Sequence, residues 1–240
     1  MVKMENRFLL QNCIIRDVYK RQAYIDHAVL DPAMTIEQLK DNIMVGVRLG
    51  CKTVCVNPDA IEIAKKCIQG TQTRLCVVLD FPFGSSQTIS KVEQCRHIIS
   101  SGDIFEIDMV ANYGRIKSRD LEYVSDEIRQ ISEICHQNQV GLKVIVETDA
   151  LTKEEVGLAL ECCVQGHADF IKTSTGYFKS SHNVGATPEL IQYLVEKANG
   201  RIKVKGSGCV RSRERLIELI ELGIDRAGVG CGSTQKILAD

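Results

Sequence analysis

Short apolar runs alternate with amphipathic stretches along the chain of 240 residues. Eight of these runs are almost continuously hydrophobic and rich in β-branched residues, which predicts strands buried on both faces. The predicted strands cover 24–28, 53–56, 75–79, 105–110, 142–147, 169–173, 202–205 and 227–230. Between them, apolar positions recur with helical spacing over 35–49, 58–69, 88–101, 119–138, 152–166, 187–198 and 212–222. The pattern therefore predicts parallel β-strands that alternate with α-helices.

Two architectures compete for this alternation. A doubly wound sheet commonly uses five or six strands, whereas eight βα units fill the roughly 200 to 250 residues of a (β/α)8 barrel. We therefore predict the α/β class with a single (β/α)8 TIM barrel over residues 23–240. We interpret residues 1–22 as an extension outside the barrel, because the string RDVYKRQ at 16–22 resembles translated adapter sequence. A barrel carries its functional groups at the C-terminal ends of its strands.

Charge and cysteine content narrow the class of protein. The formal net charge is −1, so no overall positive field is available to attract a nucleic acid or an anionic membrane surface. No secretory signal and no long apolar segment is recognisable, which favours a cytoplasmic protein with reduced thiols. The 11 cysteines are an odd number, and neither Cys51 with Cys55 nor Cys162 with Cys163 has the spacing of a metal knuckle. We therefore expect neither a bound metal nor a disulfide scaffold.

Two lysines end neighbouring predicted strands. Lys172 follows the run FI and Lys205 follows the run IKV, so both are expected at the same rim. At a separation of about 5 Å, two ammonium groups repel by roughly 3 kcal/mol, which lowers the pKa of one of them. The neutral amine can attack an aldehyde and form an imine, while the second ammonium transfers protons. The alternative is that both lysines simply end their strands in solvent.

Acidic residues inside an apolar strand favour the catalytic interpretation. The run IFEIDMV contains Glu106 and Asp108, which share one face of the predicted strand. A carboxylate there must pair with a cation or lie in the mouth of the barrel. Lys143 and Glu147 on the next strand also share a face, which predicts a rim of alternating charges. An ion pair without a chemical task is the alternative.

Glycine-rich segments follow the last three predicted strands. In a barrel, the loops after strands seven and eight commonly bind phosphate through backbone N–H groups. The GxGxG pattern at 228–232 does not fit a dinucleotide site, because only eight residues follow Gly232. Ser181 and His182 lack the surrounding motif of a hydrolase, so we interpret His182 as a loop residue.

The chain resembles the deoxyribose-phosphate aldolases, which are class I aldolases with a (β/α)8 fold. The resemblance rests on YIDHAVLDP at 24–32, VCVNP at 54–58, FPFG at 81–84, EIDMVANYGRIKS at 106–118, LKVIVET at 142–148, ADFIKTSTGY at 168–177 and VKGSGCVR at 204–211. It implies that Lys172 forms an imine with acetaldehyde or with the opened sugar phosphate. It also implies that Lys205 perturbs Lys172 and that Asp108 donates and accepts protons.

The resemblance implies further properties of the protein. The reaction would cleave 2-deoxy-D-ribose 5-phosphate reversibly to D-glyceraldehyde 3-phosphate and acetaldehyde in deoxyribonucleotide breakdown, without metal or cofactor. A homodimer would also be in keeping with the family. Residues expected to line the substrate pocket are Asp26, Cys55, Lys143 and Thr175. Residues expected at the phosphate are Gly176, Gly208, Cys209, Gly228, Gly230 and Cys231.

The chain departs from the family pattern mainly at the phosphate. Gly208-Cys209 stands where two glycines are usual, and Gly230-Cys231 stands where two serines are usual. Asp31 replaces a commonly basic residue. Two alternatives follow: an imine-forming aldolase that takes an unphosphorylated or different aldehyde, or a non-catalytic barrel that binds a sugar phosphate.

Overall fold

Eight parallel strands close into a barrel in sequence order, as the computed structural model of residues 21–179 and 183–239 describes. This arrangement confirms the predicted single (β/α)8 barrel. Strands β1 to β8 are Ile25–Val29, Thr53–Val56, Arg74–Leu79, Glu106–Val110, Gly141–Ile145, Phe170–Lys172, Lys203–Ser207 and Arg226–Gly230. Two ends differ from prediction in a way that matters for the site. Strand β5 ends at Ile145, so Glu147 lies beyond it, and strand β7 continues to Ser207.

Nine α-helices surround the barrel in the described part of the chain. Helices α1 to α9 are Ile36–Arg48, Ile61–Ile68, Thr88–Ser100, Tyr113–Lys117, Leu121–Gln137, Lys153–Gln165, Pro188–Ala198, Arg213–Glu221 and Cys231–Leu238. Short 3-10 helices cover Arg21–Tyr24, Pro58–Ala60 and Thr148–Ala150. Seven of the α-helices match predicted segments, whereas α4 and α9 were not predicted. The described helices include none that is long and apolar enough to cross a membrane.

Side-chain caps fix where several helices begin. The Thr35 hydroxyl accepts from the backbone N–H of Gln38, whose side chain accepts from the Thr35 N–H in return. Thr152 and Glu155 form the same reciprocal pair at the start of α6. Each pair satisfies two N–H groups that the helix itself leaves without partners. These caps hold the helices, and therefore the loops that precede them, at fixed positions over the strand ends.

The hydrophobic core lies between the barrel and its helices. Outward-facing strand residues such as Val54, Ile107 and Val144 are fully buried against the helix faces. The barrel interior has a smaller apolar cluster, consisting of Leu30, Cys55, Cys76 and Val78. The remainder of the interior is polar and charged, which is the unusual feature of this barrel.

Two sequence predictions fall wholly or partly outside the described residues, namely the extension over residues 1–22 and the loop residue His182. Residues 1–20 lie outside the described residues, and so does the predicted loop residue His182. The backbone carbonyl of Gln22 accepts from Lys52 N–H at 3.1 Å, so the described chain meets the barrel directly before β1. The proposed boundary between an extension and the barrel at residue 22 stays a prediction.

Candidate active site

Charged side chains from six of the eight strands point into the barrel. The strand register places these residues opposite one another around the barrel, for example Asp108 beside Lys143 and Lys172 beside Lys205. All of them are at least 94% buried. They comprise Asp26, Glu106, Asp108, Lys143, Lys172, Lys205 and Arg226. Because buried charges must be paired, this set determines which groups remain free to react.

Asp108 is the centre of the upper part of this set. Its Oδ2 accepts from Lys172 Nζ and from Lys205 Nζ, each at 2.7 Å. Its Oδ1 accepts from Lys143 Nζ at 3.0 Å and from the Cys76 thiol at 3.2 Å. One carboxylate oxygen therefore joins the two lysines that the sequence predicted as neighbours. Lys172 and Lys205 do not end their strands in solvent.

A second layer of ion pairs lies deeper in the barrel. Arg226 donates to both carboxylate oxygens of Glu106 at 3.1 Å and to Asp26 Oδ1 at 2.6 Å. Lys143 contacts Glu106 at 2.5 Å, and the Thr53 hydroxyl donates to Asp26 Oδ1 at 2.7 Å. The two carboxylates below Lys172, those of Asp26 and Glu106, therefore each contact at least two cations.

Lys205 connects the two layers. Its ammonium donates to Asp26 Oδ2 and to Asp108 Oδ2. Burial lowers the pKa of Lys205, but the carboxylates of Asp108 and Asp26 outweigh burial and hold the pKa above its ordinary value. Lys205 is therefore the amine that stays protonated. The mutual repulsion that the sequence suggested does not lower the pKa of Lys205, because two carboxylates face it.

The same contacts keep Asp108 ionised. Burial raises the pKa of Asp108, but Lys143, Lys172 and Lys205 outweigh it and hold the pKa well below its usual range. Three carboxylates face four cations in the barrel. The charged interior therefore carries one excess positive charge, counted over these seven side chains. Lys172 is also the interior lysine that reaches a solvent-accessible cavity, because it lines the cavity at the mouth of the barrel.

That cavity, of about 310 Å³, lies at the C-terminal ends of β6, β7 and β8. Its wall includes every residue that was predicted at the phosphate, together with the pocket residue Thr175. These residues are Thr175, Gly176, Gly208, Cys209, Gly228, Gly230 and Cys231. By contrast, Asp26, Cys55 and Lys143 are buried beneath the mouth and do not line this cavity. They belong to the support of the site rather than to its surface.

The backbone at the mouth is suited to an anion. Helix α9 begins at Cys231, directly after β8, and the first N–H groups of a helix have no carbonyl partners within it. Gly228 has no room for a side chain, because a Cβ there would lie 2.7 Å from Ser207 Cβ. Cys209 has a φ of 58°, a left-handed conformation that glycine adopts without strain. The arrangement supports the phosphate-binding interpretation of the glycine segments.

Glu147 fixes the loop after β6 instead of adding a charge to the interior. Its carboxylate accepts from the Thr175 hydroxyl at 2.5 Å and from the Thr175 N–H at 3.3 Å. Burial raises the pKa of Glu147, although the bonds from Thr175 oppose that rise. The prediction that Glu147 belongs to the fifth strand is therefore wrong, because β5 ends at Ile145. Glu147 itself has a left-handed backbone conformation at the start of the 3-10 helix Thr148–Ala150.

A larger cleft of about 900 Å³ adjoins the mouth and is lined by residues that follow β1 to β6. It shares Leu30, Asp31 and Tyr177 with the smaller cavity. Five aromatic side chains line it, namely Phe81, Phe83, Tyr113, Tyr177 and Phe178. These are five of the 12 Phe and Tyr residues in the chain. An uncharged part of a ligand therefore has an apolar surface within reach of the Lys172 cavity.

Sequence reasoning missed two residues of the site. Arg226 directly precedes the predicted strand 227–230, and it has the same parity as Gly228 and Gly230, so its position was available in the pattern. Cys76 looks like one more apolar residue in the run LCVVL, and nothing in the sequence indicates its contact with Asp108.

Comparison with known proteins gives consistent matches. The family model of the DeoC/LacD family aldolases matches residues 22–235, which include all eight strands. A deoxyribose-phosphate aldolase of Treponema denticola is 39% identical over 211 residues, which are 87% of this chain and 94% of that protein. A second, of Dictyoglomus turgidum, is 36% identical over 214 residues, 89% of this chain and 94% of that protein. The solved structure of the aldolase QR15 has a TM-score of 0.82 at 35% identity and covers 91% of this chain and 93% of its own.

Proposed function

The chain belongs to the DeoC/LacD family of aldolases and is a lyase, and we propose that it cleaves 2-deoxy-D-ribose 5-phosphate through an imine on Lys172. The products are D-glyceraldehyde 3-phosphate and acetaldehyde. One observation carries this proposal: Asp108 Oδ2 accepts from both Lys172 and Lys205 at 2.7 Å. The amine of Lys172, a carboxylate that can carry protons and a second ammonium thus meet at one buried atom, next to a cavity open to substrate.

The chemistry follows from these contacts. The neutral Lys172 amine attacks the aldehyde carbon of the opened sugar, and loss of water gives the imine. The protonated imine accepts the electron pair when the bond between C2 and C3 breaks, and the C3 hydroxyl gives up its proton. The product aldehyde leaves, C2 takes up a proton, and water releases acetaldehyde. Asp108 and Lys205 are the groups within reach to carry these protons.

The phosphate end of the substrate fits the opposite side of the same cavity. The start of helix α9 and the glycine loops after β6 and β7 offer backbone N–H groups there. Arg211 lines the cavity as well and adds a positive charge. The cytoplasmic location and the role in deoxyribonucleotide breakdown remain predictions from the sequence.

Borohydride trapping tests the mechanism directly. Reduction in the presence of acetaldehyde should attach a two-carbon group to Lys172, and mass spectrometry of the peptide should locate it. The variant Lys172→Ala should lose both trapping and turnover, whereas Lys203→Ala, which removes an exposed lysine from the next strand, should keep both. Absence of the adduct from folded wild-type protein would refute the imine mechanism.

A second candidate keeps the imine but changes the acceptor to an unphosphorylated aldehyde. Asp31 favours it, because this carboxylate lines both cavities and repels a phosphate. The usual serine hydroxyls are also absent at Gly230 and Cys231, and the aromatic cleft suits an uncharged chain. Turnover of deoxyribose compared with its 5-phosphate distinguishes the two candidates. Turnover of either one rules out a barrel that only binds sugar phosphate.

A further inference from the structure

Two cysteine thiols face each other inside the barrel beside Asp108. Cys55 on β2 and Cys76 on β3 are direct register partners on neighbouring strands, and both side chains belong to the interior cluster. The Cys76 thiol donates to Asp108 Oδ1 at 3.2 Å. The two sulfur atoms and a carboxylate oxygen of Asp108 all lie within 4.8 Å of one another. Three potential metal ligands therefore converge on one buried point.

The spacing of these atoms is close to that of a tetrahedral site. With metal–sulfur bonds of about 2.3 Å and metal–oxygen bonds of about 2.1 Å, tetrahedral ligands lie roughly 3.5 to 3.8 Å apart. The distance from Cys76 to Asp108 is slightly shorter than this, and no separation in the set exceeds it by more than about 1 Å, so small side-chain rotations suffice. Two sulfurs and one oxygen suit a soft divalent ion and leave a fourth position for water.

The surrounding charges allow such an ion, although ammonium groups crowd the site. A divalent ion that displaces both thiol protons adds two positive charges and creates two thiolates, so the net charge of the interior is unchanged. Lys143 Nζ lies 3.5 Å from Cys76 Sγ and would lose its bond to Asp108 Oδ1. Its contact with Glu106 at 2.5 Å keeps it paired.

The site lies close beneath the mouth of the barrel. Cys55 packs in a cluster with Leu30, and Ala28 and Phe81 cover that cluster. Leu30 lines both cavities at the mouth, Ala28 lines the smaller and Phe81 the larger. The thiols therefore lie one side chain below the substrate cavity. We expect an ion that enters the mouth to reach them by movement of these covering side chains.

We propose that Cys55, Cys76 and Asp108 form an inhibitory site for a soft divalent cation such as Cd²⁺ or Zn²⁺. The ion binds Asp108 Oδ1 and draws electron density from the carboxylate whose Oδ2 serves Lys172 and Lys205. Proton transfer at the reacting centre then slows. The binding claim stands on the three ligands alone, whereas the inhibition claim rests on the function proposed above for Asp108.

Cadmium titration of the wild-type chain tests binding, because cadmium thiolates absorb in the ultraviolet. Cys76→Ala should lower the number of tightly bound ions by one per chain. Cys95→Ala is the matched control: Cys95 Sγ lies 3.7 Å from Cys135 Sγ in another buried thiol pair, and no carboxylate among the described residues accepts from either thiol. This variant should titrate like wild type. Identical titrations of Cys76→Ala and wild type would overturn the site.

Anomalous diffraction from a wild-type crystal soaked in Cd²⁺ removes any dependence on how the variants fold. The expected result is a peak between the sulfurs of Cys55 and Cys76 and the carboxylate of Asp108. Peaks confined to exposed thiols such as Cys209 would overturn the site. Activity should fall as the ion binds and should return with a chelator. Full activity with the ion bound would overturn the inhibition and the role of Asp108, although the metal site itself would stand. A protein that is inactive before cadmium is added would contradict only the proposed function.

Discussion

The contact of Lys205 with two carboxylates gives this residue a measurable electrostatic role. In the variant Lys205→Leu, Asp108 keeps its charge but loses one of its cations, so it holds the Lys172 ammonium more firmly. The neutral amine is then reached only at higher pH. We expect the rise of kcat/KM with pH to move to more alkaline values. Lys203→Leu, an exposed lysine on the same strand, should leave the profile in place, and an unchanged profile in Lys205→Leu would refute the role.

Gly230 offers a direct test of the missing phosphate ligands. Its φ is −62°, and no atom lies within 4 Å of a Cβ built there, so a side chain fits without strain. Gly230→Ser restores one hydroxyl donor worth about 0.5 to 1.5 kcal/mol, which corresponds to roughly a 2- to 12-fold lower KM for deoxyribose 5-phosphate. The KM for deoxyribose should not change. Gly230→Ala adds the Cβ alone and should resemble wild type; an equal gain there would show that the hydroxyl is not responsible.

For single residues, the sequence predicted which face of its strand a side chain occupies better than how deep in the barrel that side chain lies. The alternation of side chains along a strand correctly assigned Lys172, Lys205 and Asp108 to one interior. It did not predict that Lys143 lies beneath them, since parity gives the face of a strand and not the height within the barrel. Barrel strands are tilted, so equal positions in two strands lie at different heights. The pairing of Arg226 with Glu106 depends on that stagger.

The loop between β3 and α3 depends on a buried lysine outside the active site. Lys91 Nζ donates to the carbonyls of Gly84 and Val110 at 3.0 and 2.9 Å, and it contacts Glu127 at 3.0 Å and Asp80 at 3.5 Å. This loop carries Phe81 and Phe83 into the aromatic cleft. The ion pair therefore connects the packing of α3 and α5 to the shape of a potential substrate surface.

Removing that lysine should be costly. Lys91→Met leaves Glu127 as an uncompensated buried charge, and we expect a loss of about 3 to 5 kcal/mol in the free energy of unfolding. Burial raises the pKa of Glu127, although Lys91 opposes that rise. Because a carboxylate with a raised pKa in the folded state becomes neutral in mild acid, its burial destabilises the fold less there. The loss should thus be smaller at about pH 5 than at about pH 8.

Urea unfolding of matched variants gives the comparison. Lys65→Met, which breaks the exposed pair with Glu62 and one hydrogen bond to the Ser101 carbonyl, should cost no more than about 2 kcal/mol. The double variant with Glu127→Gln should recover part of the loss caused by Lys91→Met. Equal losses for the two lysine variants would show that the buried pair has no special role.

Two elements escaped prediction because their sequences carry little periodic signal. Helix α4 has five residues, of which only Ile116 is buried, so no amphipathic repeat can develop. Helix α9 begins with Cys231 and Gly232, and this glycine-rich start indicates a loop rather than a helix. By contrast, the eight strands and seven longer helices have strong apolar patterns and polar caps. Their order alone was sufficient to predict the barrel.

The closed barrel makes its interior charges a property of the whole molecule. Each ion pair connects different strands: Arg226 on β8 reaches Asp26 on β1 and Glu106 on β4, and Lys205 on β7 reaches both Asp26 and Asp108. Opening the barrel at any seam separates several of these pairs at once. Such a network couples the stability of distant βα units, which favours one cooperative unfolding transition.

Acid should therefore destabilise the whole barrel through two carboxylates. Burial raises the pKa of Asp26, but Lys205, Lys143 and Arg226 outweigh it and hold the pKa below its ordinary value, as the cations around Asp108 do for that residue. Groups with a depressed folded pKa stabilise the fold above their unfolded pKa of about 3.9, and this contribution is lost as the pH falls. The free energy of unfolding should thus decline steeply below about pH 4.

The variant Asp26→Asn separates this effect from general acid instability. It removes one depressed carboxylate, so we expect lower stability at neutral pH and a shallower decline between about pH 4 and pH 2 than in wild type. Asp41→Asn makes the same change on the exposed face of α1 and should keep the wild-type slope. Urea unfolding at a series of pH values measures both slopes. Parallel curves for Asp26→Asn and wild type would show that protonating Asp26 does not destabilise the fold. The attraction between Asp26 and its cations would then not contribute to holding the strands together.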